Sequence, residues 1–305
     1  MQTTLQSEIT EVRIQSNAPI IIIGEKINPT GNKRLAKALQ TSNYEYIRTL
    51  AAEQVAAGAD VLDINVSAHG LDDTVLLPEV VKVLASRVSV PLCIDSPNPK
   101  AMAAALAVAP GKPLANSVNG QGSVLREMLP IVKDRGAAVI GLTLDDKGIP
   151  NKPYERLAIA GRILEQAVRI GIPSDDVIID PLVMPVGADQ KAGKVTLETI
   201  ELIRRELGVN IILGASNVSF GLPSRNTINQ AFLALAVAAG ANCVITDPIQ
   251  FTAFIRATDL LRGHDPYAKR YISYYRSHPR MTREEASPRN DLPKACSNIK
   301  SQETF

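Results

Sequence analysis

The amino-acid sequence predicts an α/β fold, a (β/α)8 TIM barrel. Short apolar runs rich in Val, Ile and Leu recur along the chain, and each is followed by a helical stretch. This alternation is typical of βα units, which build a parallel sheet buried on both faces. Eight such runs lie between residue 19 and about residue 262 of the 305. Because eight units complete a TIM barrel, the pattern favours a closed barrel over an open sheet.

The predicted strands can be placed one by one. In chain order they begin near Pro19 (PIIIIGEKI), Ala59 (ADVLDINV), Val90 (VPLCIDS), Leu114 (LANSVN), Ala137 (AAVIGLTL), Val177 (VIIDPLV), Asn210 (NIILGASN) and Asn242 (NCVITDPI). The segments between them are predicted to be amphipathic helices. In the helix after the fifth strand, one face is apolar, and Gly171 stands where a C′ residue would end the helix. The residues of that face are Leu157, Ala160, Ile163, Leu164, Ala167 and Val168.

The chain therefore divides into three segments: an N-terminal extension over 1–18, the barrel over 19–262, and a C-terminal appendage over 263–305. In the appendage the apolar runs stop, and eight Lys or Arg face five Asp or Glu. Its tyrosines at i, i+4, i+7 and i+8 predict a short helix with one aromatic face, packed on the barrel or on a second subunit. They are Tyr267, Tyr271, Tyr274 and Tyr275. Beyond Pro279 the composition predicts a loosely held tail.

The composition excludes several classes of protein. The 33 Lys and Arg against 31 Asp and Glu leave a net charge of +2, which gives no electrostatic footprint for nucleic acid or for an anionic membrane. The chain has no apolar stretch long enough for a membrane span, and its start lacks the basic and apolar regions of a signal peptide. We therefore expect a cytoplasmic protein without a nucleic-acid or membrane partner.

The cysteines and histidines are few and scattered. Cys93, Cys243 and Cys296 are far apart in the sequence, and the chain has three histidines, the other residue type that commonly binds zinc. Disulfides and a zinc site are therefore not expected. The sequence predicts no metal bound by this chain, and a carboxylate-bound magnesium ion stays an alternative.

Polar side chains close seven of the eight predicted strands. In barrel enzymes the active site lies at the carboxyl ends of the strands. Any one of these residues could be an ordinary turn or N-cap residue, but their recurrence predicts a site at this end of the barrel. They are Glu25, Asn28, Asp63, Asn65, Asp95, Asn116, Asn119, Asp180, Asn217 and Asp247.

The chemistry of this set favours recognition of a flat, nitrogen-rich ring. No lysine beyond Lys26 and no histidine closes a strand, which argues against Schiff-base and histidine-based chemistry. A 2-amino-4-oxo-pyrimidine edge offers adjacent N–H donors that match one carboxylate, and its mixed donors and acceptors suit a carboxamide. Pterins, folates and guanine carry such an edge.

Six motifs in this order resemble the methyltetrahydrofolate:corrinoid methyltransferases. That family shares a pterin-binding barrel with dihydropteroate synthase and with the folate domain of cobalamin-dependent methionine synthase. The resemblance covers residues 20 to about 262. The motifs are GEKIN (24–28), ADVLDINV (59–66), LCIDS (92–96), GLTLDDKGIP (141–150), IDPLV (179–183) and SNVSFGLPSR (216–225).

The resemblance implies roles for individual residues. Asp95, Asn116 and Asp180 would hold the hydrogen-bonding edge of the pterin. Asn217 would lie near N5, the nitrogen that carries the methyl group, and would donate a hydrogen bond as charge develops there. Arg225 would assist the folate or the loop geometry. Phe220 departs from the family pattern, in which a relative has a polar amide, and this puts one pterin contact in doubt.

The resemblance also implies the reaction and the partners. The substrate would be tetrahydrofolate or 5-methyltetrahydrofolate, and the methyl group would move by SN2 transfer between N5 and the cobalt of cobalamin. His69 stands without the Asp-x-His-x-x-Gly run that binds cobalamin, so a separate corrinoid protein would carry the cobalamin. Barrels of this family pair, which implies a homodimer.

Three alternatives stay open. A dihydropteroate synthase-like enzyme would need cations for a diphosphate leaving group, yet the corresponding segments read ASNVSF and INPTGN. A non-catalytic pterin-binding protein would keep Asp95, Asn116 and Asp180 and tolerate loss of Asn217. A third alternative is a barrel enzyme that acts on another heterocycle.

Overall fold

The computed structural model describes residues 1–278 as a barrel of eight parallel strands with a hairpin at its base. The hairpin strands are β1 (Gln2–Gln6) and β2 (Glu11–Gln15). The barrel strands are β3 (Ile21–Ile27), β4 (Val61–Ile64), β5 (Leu92–Asp95), β6 (Leu114–Asn119), β7 (Ala138–Leu142), β8 (Val177–Asp180), β9 (Asn210–Gly214) and β10 (Cys243–Thr246). Each pairs with its successor, and β10 pairs with β3 to close the ring. The predicted TIM barrel is confirmed, and every predicted strand lies where expected.

Helices follow the strands and form the outer layer. They are α1 (Lys33–Gln40), α2 (Tyr44–Ala56), α3 (Asp73–Ala85), α4 (Pro99–Val108), α5 (Gly122–Arg135), α6 (Pro153–Arg169), α7 (Ala192–Glu206), α8 (Arg225–Ala239), α9 (Pro248–Leu261) and α10 (Lys269–Ser277). Three of them begin with proline, whose fixed φ and missing N–H suit the first turn. Asp72, Asn98 and Asp247 cap three helices with their side chains. The helix starts therefore lie around the carboxyl ends of the strands.

The strands separate two apolar layers because alternate side chains point to opposite faces. One layer lies between strands and helices and contains residues such as Ile22, Leu62 and Ile94. The other lies inside the barrel and contains Ile23, Cys93 and Ile140 among others. The interior is thus a packed core, as in other barrels of this size.

The N-terminal hairpin closes the base of the barrel. Its side chains Leu5, Val12 and Ile14 are buried in the inner layer. Nδ2 of Asn210, at the start of β9, donates to the carbonyl of Ile14 at 2.9 Å. The segment predicted only as an extension therefore supplies part of the core, at the end opposite the polar strand termini.

Helix α6 differs in one position from the predicted apolar face. Ala160, Ile163 and Ala167 are buried, but Val168 is 49% exposed. Arg156 and Ile159 take part in the buried face instead, which is therefore turned slightly from the predicted one. Gly171 follows the C-cap with φ +96°, a left-handed conformation that favours glycine, and its predicted position at the helix end is confirmed.

The C-terminal helix α10 packs on α9 beside the barrel. It begins at Lys269, so Tyr267 precedes it, has a left-handed backbone with φ +58° and is 89% exposed. Tyr274 is buried, and its ring stacks on His278 with centroids 4.4 Å apart. The prediction of four tyrosines on one helical face is wrong for Tyr267. The predicted tail lies outside the described residues from residue 279 on.

Within residues 1–278, no helix combines the length and the apolar character that a membrane crossing requires.

Candidate functional site

The carboxyl ends of the barrel strands surround a cavity of about 560 Å³. Seven of the ten polar strand-end residues line it: Glu25, Asn28, Asp63, Asp95, Asn116, Asp180 and Asn217. Arg225 does not line this cavity. A larger groove of about 760 Å³ lies outside the barrel between α5 and α6. None of the strand-end residues lines that groove, so the cavity is the candidate active site.

The other three strand-end residues support the site from outside the cavity. Asn65 donates from Nδ2 to Oδ2 of Asp95 at 2.8 Å. Oδ1 of Asn119 accepts from the N–H of Gln121 in the turn before α5. Asp247 accepts from Ile249 N–H as the N-cap of α9. The turn and cap roles are therefore real at Asn119 and Asp247.

One wall of the cavity is built from three adjacent strands. Asp95 and Asn116 are paired across β5 and β6. Nδ2 of Asn116 donates to Oδ1 of Asp63, on β4, at 3.1 Å. Burial, together with repulsion from Asp95, raises the pKa of Asp63 to about 7. Burial also raises the pKa of Asp95. Burial thus favours the protonated form of both carboxyls, and hydrogen-bond donors of a ligand would favour the ionised form.

Asp180 ends β8 and is buried beside the cavity. Its Oδ1 accepts from the N–H of Leu182 at 2.7 Å, and Leu182 has a left-handed φ of +63°. Burial raises the pKa of Asp180 to about 7, although this hydrogen bond and the charge of Arg156 oppose the rise. The turn after β8 thus fixes the direction of the carboxyl group.

The turn after β8 is anchored by an arginine that the sequence analysis gave no role. Arg156 on α6 is 1% exposed. Its Nη1 lies 2.8 Å from the carbonyl oxygens of Pro181 and Leu182, and its Nε donates to the carbonyl of Pro150. A charged residue at a helix start looks solvent-exposed in a sequence, and no local pattern reveals these distant acceptors.

Glu25 and Ser216 meet across the opposite wall of the cavity. The hydroxyl of Ser216 donates to Oε1 of Glu25 at 3.1 Å. Burial raises the pKa of Glu25, and the nearby charge of Asp247 raises it further. Lys26 pairs with Asp247, with Nζ 2.9 Å from Oδ2. The sequence pattern places Glu25 at a strand end without a specific role, and it gives Ser216 no signal beyond its place beside Asn217.

Asn217 lies on a short 3₁₀ turn after β9, over Ala215–Ser219. A Cβ added at Gly214 would meet Nδ2 of Asn217 at 3.3 Å, so glycine leaves space for the amide to lie over the strand end. Asn217 is exposed to the cavity and the solvent. Its amide can donate to a bound ligand.

Arg225, the first residue of α8, is attached to this turn. Its Nη2 donates to the carbonyl of Ser216 at 2.7 Å, and its Nε donates to Oγ of Ser219 at 3.0 Å. The ring of Phe220, 67% exposed, has its centroid 6.0 Å from the Arg225 guanidinium. Arg225 is expected to assist either the folate or the loop geometry, and these contacts favour the role in the loop.

No group of three or more His, Cys, Asp or Glu side chains in the described part of the chain is arranged to hold a metal ion.

Comparison with known families matches residues 24–247 to the family described as pterin binding enzyme. This match covers most of the chain and both walls of the cavity. The chain belongs to the pterin-binding enzyme family. The motif resemblance found in the sequence is confirmed at this level, and the conclusion agrees with a cavity lined by carboxyl and carboxamide groups.

Two relatives connect this pterin-binding enzyme with methyl transfer. Over 262 residues it is 30% identical to the methylcorrinoid:tetrahydrofolate methyltransferase of Eubacterium limosum, a match that covers 84% of this chain and 96% of the relative. Over 257 residues it is 29% identical to the methionine synthase of Mycobacterium tuberculosis, covering 80% of this chain but 22% of that larger protein. The predicted resemblance to methyltransferases is confirmed by both matches.

Solved structures share the fold of this pterin-binding enzyme. The dihydropteroate synthase of Stenotrophomonas maltophilia superposes with a TM-score of 0.66 at 20% identity, covering 82% of this chain and 95% of that one. The Yersinia pestis dihydropteroate synthase gives 0.64 at 17% identity, covering 86% and 99%. At 17% and 20% identity, this likeness shows a common barrel fold and does not identify the reaction.

Proposed function

We propose that this enzyme transfers a methyl group between N5 of tetrahydrofolate and the cobalt of a corrinoid carried by a separate protein. The observation that carries the proposal is the cavity in which Asp95, Asn116 and Asp180 meet Asn217. The identity to a methylcorrinoid:tetrahydrofolate methyltransferase over nearly its whole length supports the same reaction.

The pterin is bound by its hydrogen-bonding edge. Asp95 and Asp180 accept from its N–H donors, and the amide of Asn116 pairs with its mixed donor and acceptor atoms. Hydrogen bonding to a carboxylate favours the ionised form, so the bound pterin counteracts the raised pKa of Asp180. The ring then lies across the cavity between the walls that carry these residues.

Methyl transfer is an SN2 displacement at the methyl carbon. In demethylation, the electron pair of a Co(I) substrate forms the new bond, and the pair of the broken C–N bond returns to N5. A tertiary amine is a poor leaving group, so N5 must gain a proton. Asn217 does not titrate, but its amide donates a hydrogen bond that strengthens as charge changes at N5, which stabilises the transition state.

The corrinoid is a substrate in this proposal and belongs to a partner. A relative named for a methylcorrinoid is matched over 96% of its length by this chain, and this supports a corrinoid that enters the reaction as a substrate. The open cavity mouth gives the partner access to N5. We also propose that the protein is cytoplasmic. We further propose that it forms a homodimer, with exposed apolar residues on α9 and α10 in the interface.

Two measurements test the function. Titration with 5-methyltetrahydrofolate is expected to give saturable binding, and a barrel enzyme for another heterocycle would not bind it. Single-turnover mixing of this complex with a Co(I) corrinoid is expected to form methyl-cobalt. A non-catalytic pterin-binding protein would bind folate and leave the cobalt unmethylated, and a dihydropteroate synthase-like enzyme would condense a pterin diphosphate with an arylamine instead.

A further inference from the structure

The proposed function requires a proton at N5 and leaves its source open. Asn217 cannot supply it, because a carboxamide does not titrate. Any residue that supplies the proton must line the cavity on the side of N5 and must be able to hold a proton near neutral pH.

The order of strands divides the titratable groups of the cavity into two sides. Asp63, Asp95 and Asn116 lie on the adjacent strands β4, β5 and β6, whereas β3 and β9 flank β10. Glu25 lies on β3, two residues before its end, and Ser216 and Asn217 follow β9. If the pterin edge is held at β5, β6 and β8, N5 faces the side that carries Asn217, and this is also the side of Glu25.

Direct contacts strengthen this placement. The Ser216 hydroxyl, one residue before Asn217, lies 3.1 Å from Oε1 and 3.5 Å from Oε2 of Glu25. Glu25 and Asn217 line the same cavity. The hydrogen bond from Ser216 fixes the carboxyl group beside the asparagine, within the region where N5 would lie.

Burial and the neighbouring charges favour the protonated form of the Glu25 carboxyl. From its own strand, Lys26 faces it but is paired with Asp247 at 2.9 Å, so the cation is neutralised locally. The carboxyl of Asp247, at the N-cap of α9, and that of Asp63, on β4, repel a charge on Glu25. From α8, Arg225 attracts that charge but is bonded to Ser216 and Ser219. Burial is the largest influence, and together these raise the pKa of Glu25.

We propose that Glu25 is a catalytic residue that donates the proton to N5 during demethylation and accepts it in the reverse direction. The proposal rests on the proposed methyl transfer. In demethylation, the O–H bond of Glu25 breaks and the N5–H bond forms, while the C–N bond breaks with its pair going to N5. The methyl group goes to the Co(I) substrate, whose electron pair makes the new bond. Water then reprotonates the Glu25 carboxylate, so charge and atoms balance.

The test is single-turnover demethylation of 5-methyltetrahydrofolate by cob(I)alamin at several pH values between 5 and 8. The loss of Co(I) absorbance measures the rate. With the wild-type enzyme saturated, the rate is expected to fall as pH rises through the elevated pKa of Glu25, because the protonated form is the donor. Glu25→Gln removes the titrating proton without removing volume. It is expected to lower the rate on the order of 100-fold and to change the folate Kd by less than about threefold.

Two further variants separate a chemical role from a structural one. Glu198→Gln, on α7, changes a side chain that is 45% exposed and pairs with Lys194; it is the matched control and is expected to keep the wild-type rate. Ser216→Ala removes a hydrogen bond that lowers the pKa of Glu25, so it is expected to move the pH profile upward. A purely structural loss would change amplitude without this shift.

Specific results would overturn the proposal. Wild-type rate and pH profile in Glu25→Gln would exclude Glu25 as the donor, and equal losses of affinity and rate would assign it to binding. An unshifted profile in Ser216→Ala would also contradict it. A wild-type enzyme that binds folate but never methylates cob(I)alamin or a corrinoid protein would instead disprove the proposed function.

Discussion

Nη1 of Arg156 lies 2.8 Å from the carbonyl oxygen of Leu182, so a fully buried guanidinium holds the turn that orients Asp180. The same nitrogen reaches the carbonyl of Pro181 at 2.8 Å. A helix on the outside of the barrel thereby fixes a carboxyl group at its mouth. The site depends on this anchor as well as on the residues that line the cavity.

Replacing Arg156 with methionine is expected to weaken both the fold and the site. The carbonyls of Pro150, Pro181 and Leu182 would lose a donor, and an unsatisfied buried acceptor costs about 1–3 kcal/mol. Urea unfolding should show a loss of that size, and the folate Kd should rise because Asp180 is less well oriented. Arg169→Met, at the exposed end of the same helix, is the control. Unchanged folate affinity in Arg156→Met would contradict the anchoring role.

Asp180→Asn is expected to reduce folate affinity about 10- to 100-fold, or roughly 1.5–3 kcal/mol. The carboxamide presents an N–H where the ring offers N–H donors, so one charged acceptor is lost. Equilibrium titration measures the effect. Asp175→Asn, an exposed residue before the other end of β8, should bind as the wild type does. Equal affinities for all three proteins would exclude Asp180 as a pterin ligand.

Folate affinity is expected to fall as pH is lowered below about 7. In the unliganded protein, burial raises the pKa of Asp180 to about 7, and the pterin is expected to bind the ionised form. Protonation at lower pH therefore competes with the ligand, and binding at pH 6 should release protons. Calorimetry in two buffers of different ionisation enthalpy measures that release. The effect should shrink in Asp180→Asn, and proton uptake on binding would show that the sign is wrong.

Asn217→Ala is expected to affect catalysis more than binding. The lost donor acts on charge that develops at N5, so the rate at saturating folate should fall on the order of 100-fold or more. Folate affinity should fall only modestly. Single-turnover kinetics and equilibrium titration give the two values, with Asn226→Ala on the exposed start of α8 as control. Transfer at the parent rate would remove Asn217 from the mechanism.

The protein is expected to be a homodimer in solution. Leu261, Tyr267 and Ile272 are exposed near the junction of α9 and α10, and large apolar side chains left open to water can mark an interaction surface. Light scattering at micromolar concentration gives the mass. Leu261→Asp should lower it to that of a monomer, whereas Val168→Asp on α6 should not. A monomeric wild-type protein would end this proposal.

The sequence was most informative where the pattern is local. Each strand interior is an apolar run, and eight such runs favour a closed barrel, so the sequence alone predicts that Asp95, Asn116 and Asp180 share one mouth. Alternation in QTTLQ and EVRIQ is also local and could have predicted the hairpin whose Leu5 and Ile14 enter the core.

Local sequence patterns do not predict contacts between distant segments of the chain. The hydrogen bonds from Arg156 to the backbone of the turn after β8, and from Ser216 to Glu25, join segments whose local sequences share no pattern. Tyr267 shows a different limit, since its spacing fits the helix but its backbone is left-handed and the helix begins only at Lys269. Periodicity specifies a face and says nothing about where tertiary packing interrupts it.

The pairing of β3 with β10 has a consequence for biosynthesis. The first barrel strand meets the last one, Ile22 opposite Val244, so the ring cannot close until nearly the whole barrel has emerged from the ribosome. Such long-range pairing is slow to form and leaves strand edges exposed meanwhile. The Ser216–Glu25 bond spans 191 residues and forms only in the closed ring. A nascent chain stalled before β9 would therefore contain Asp95, Asn116 and Asp180, the proposed pterin ligands, without a closed ring to hold them together.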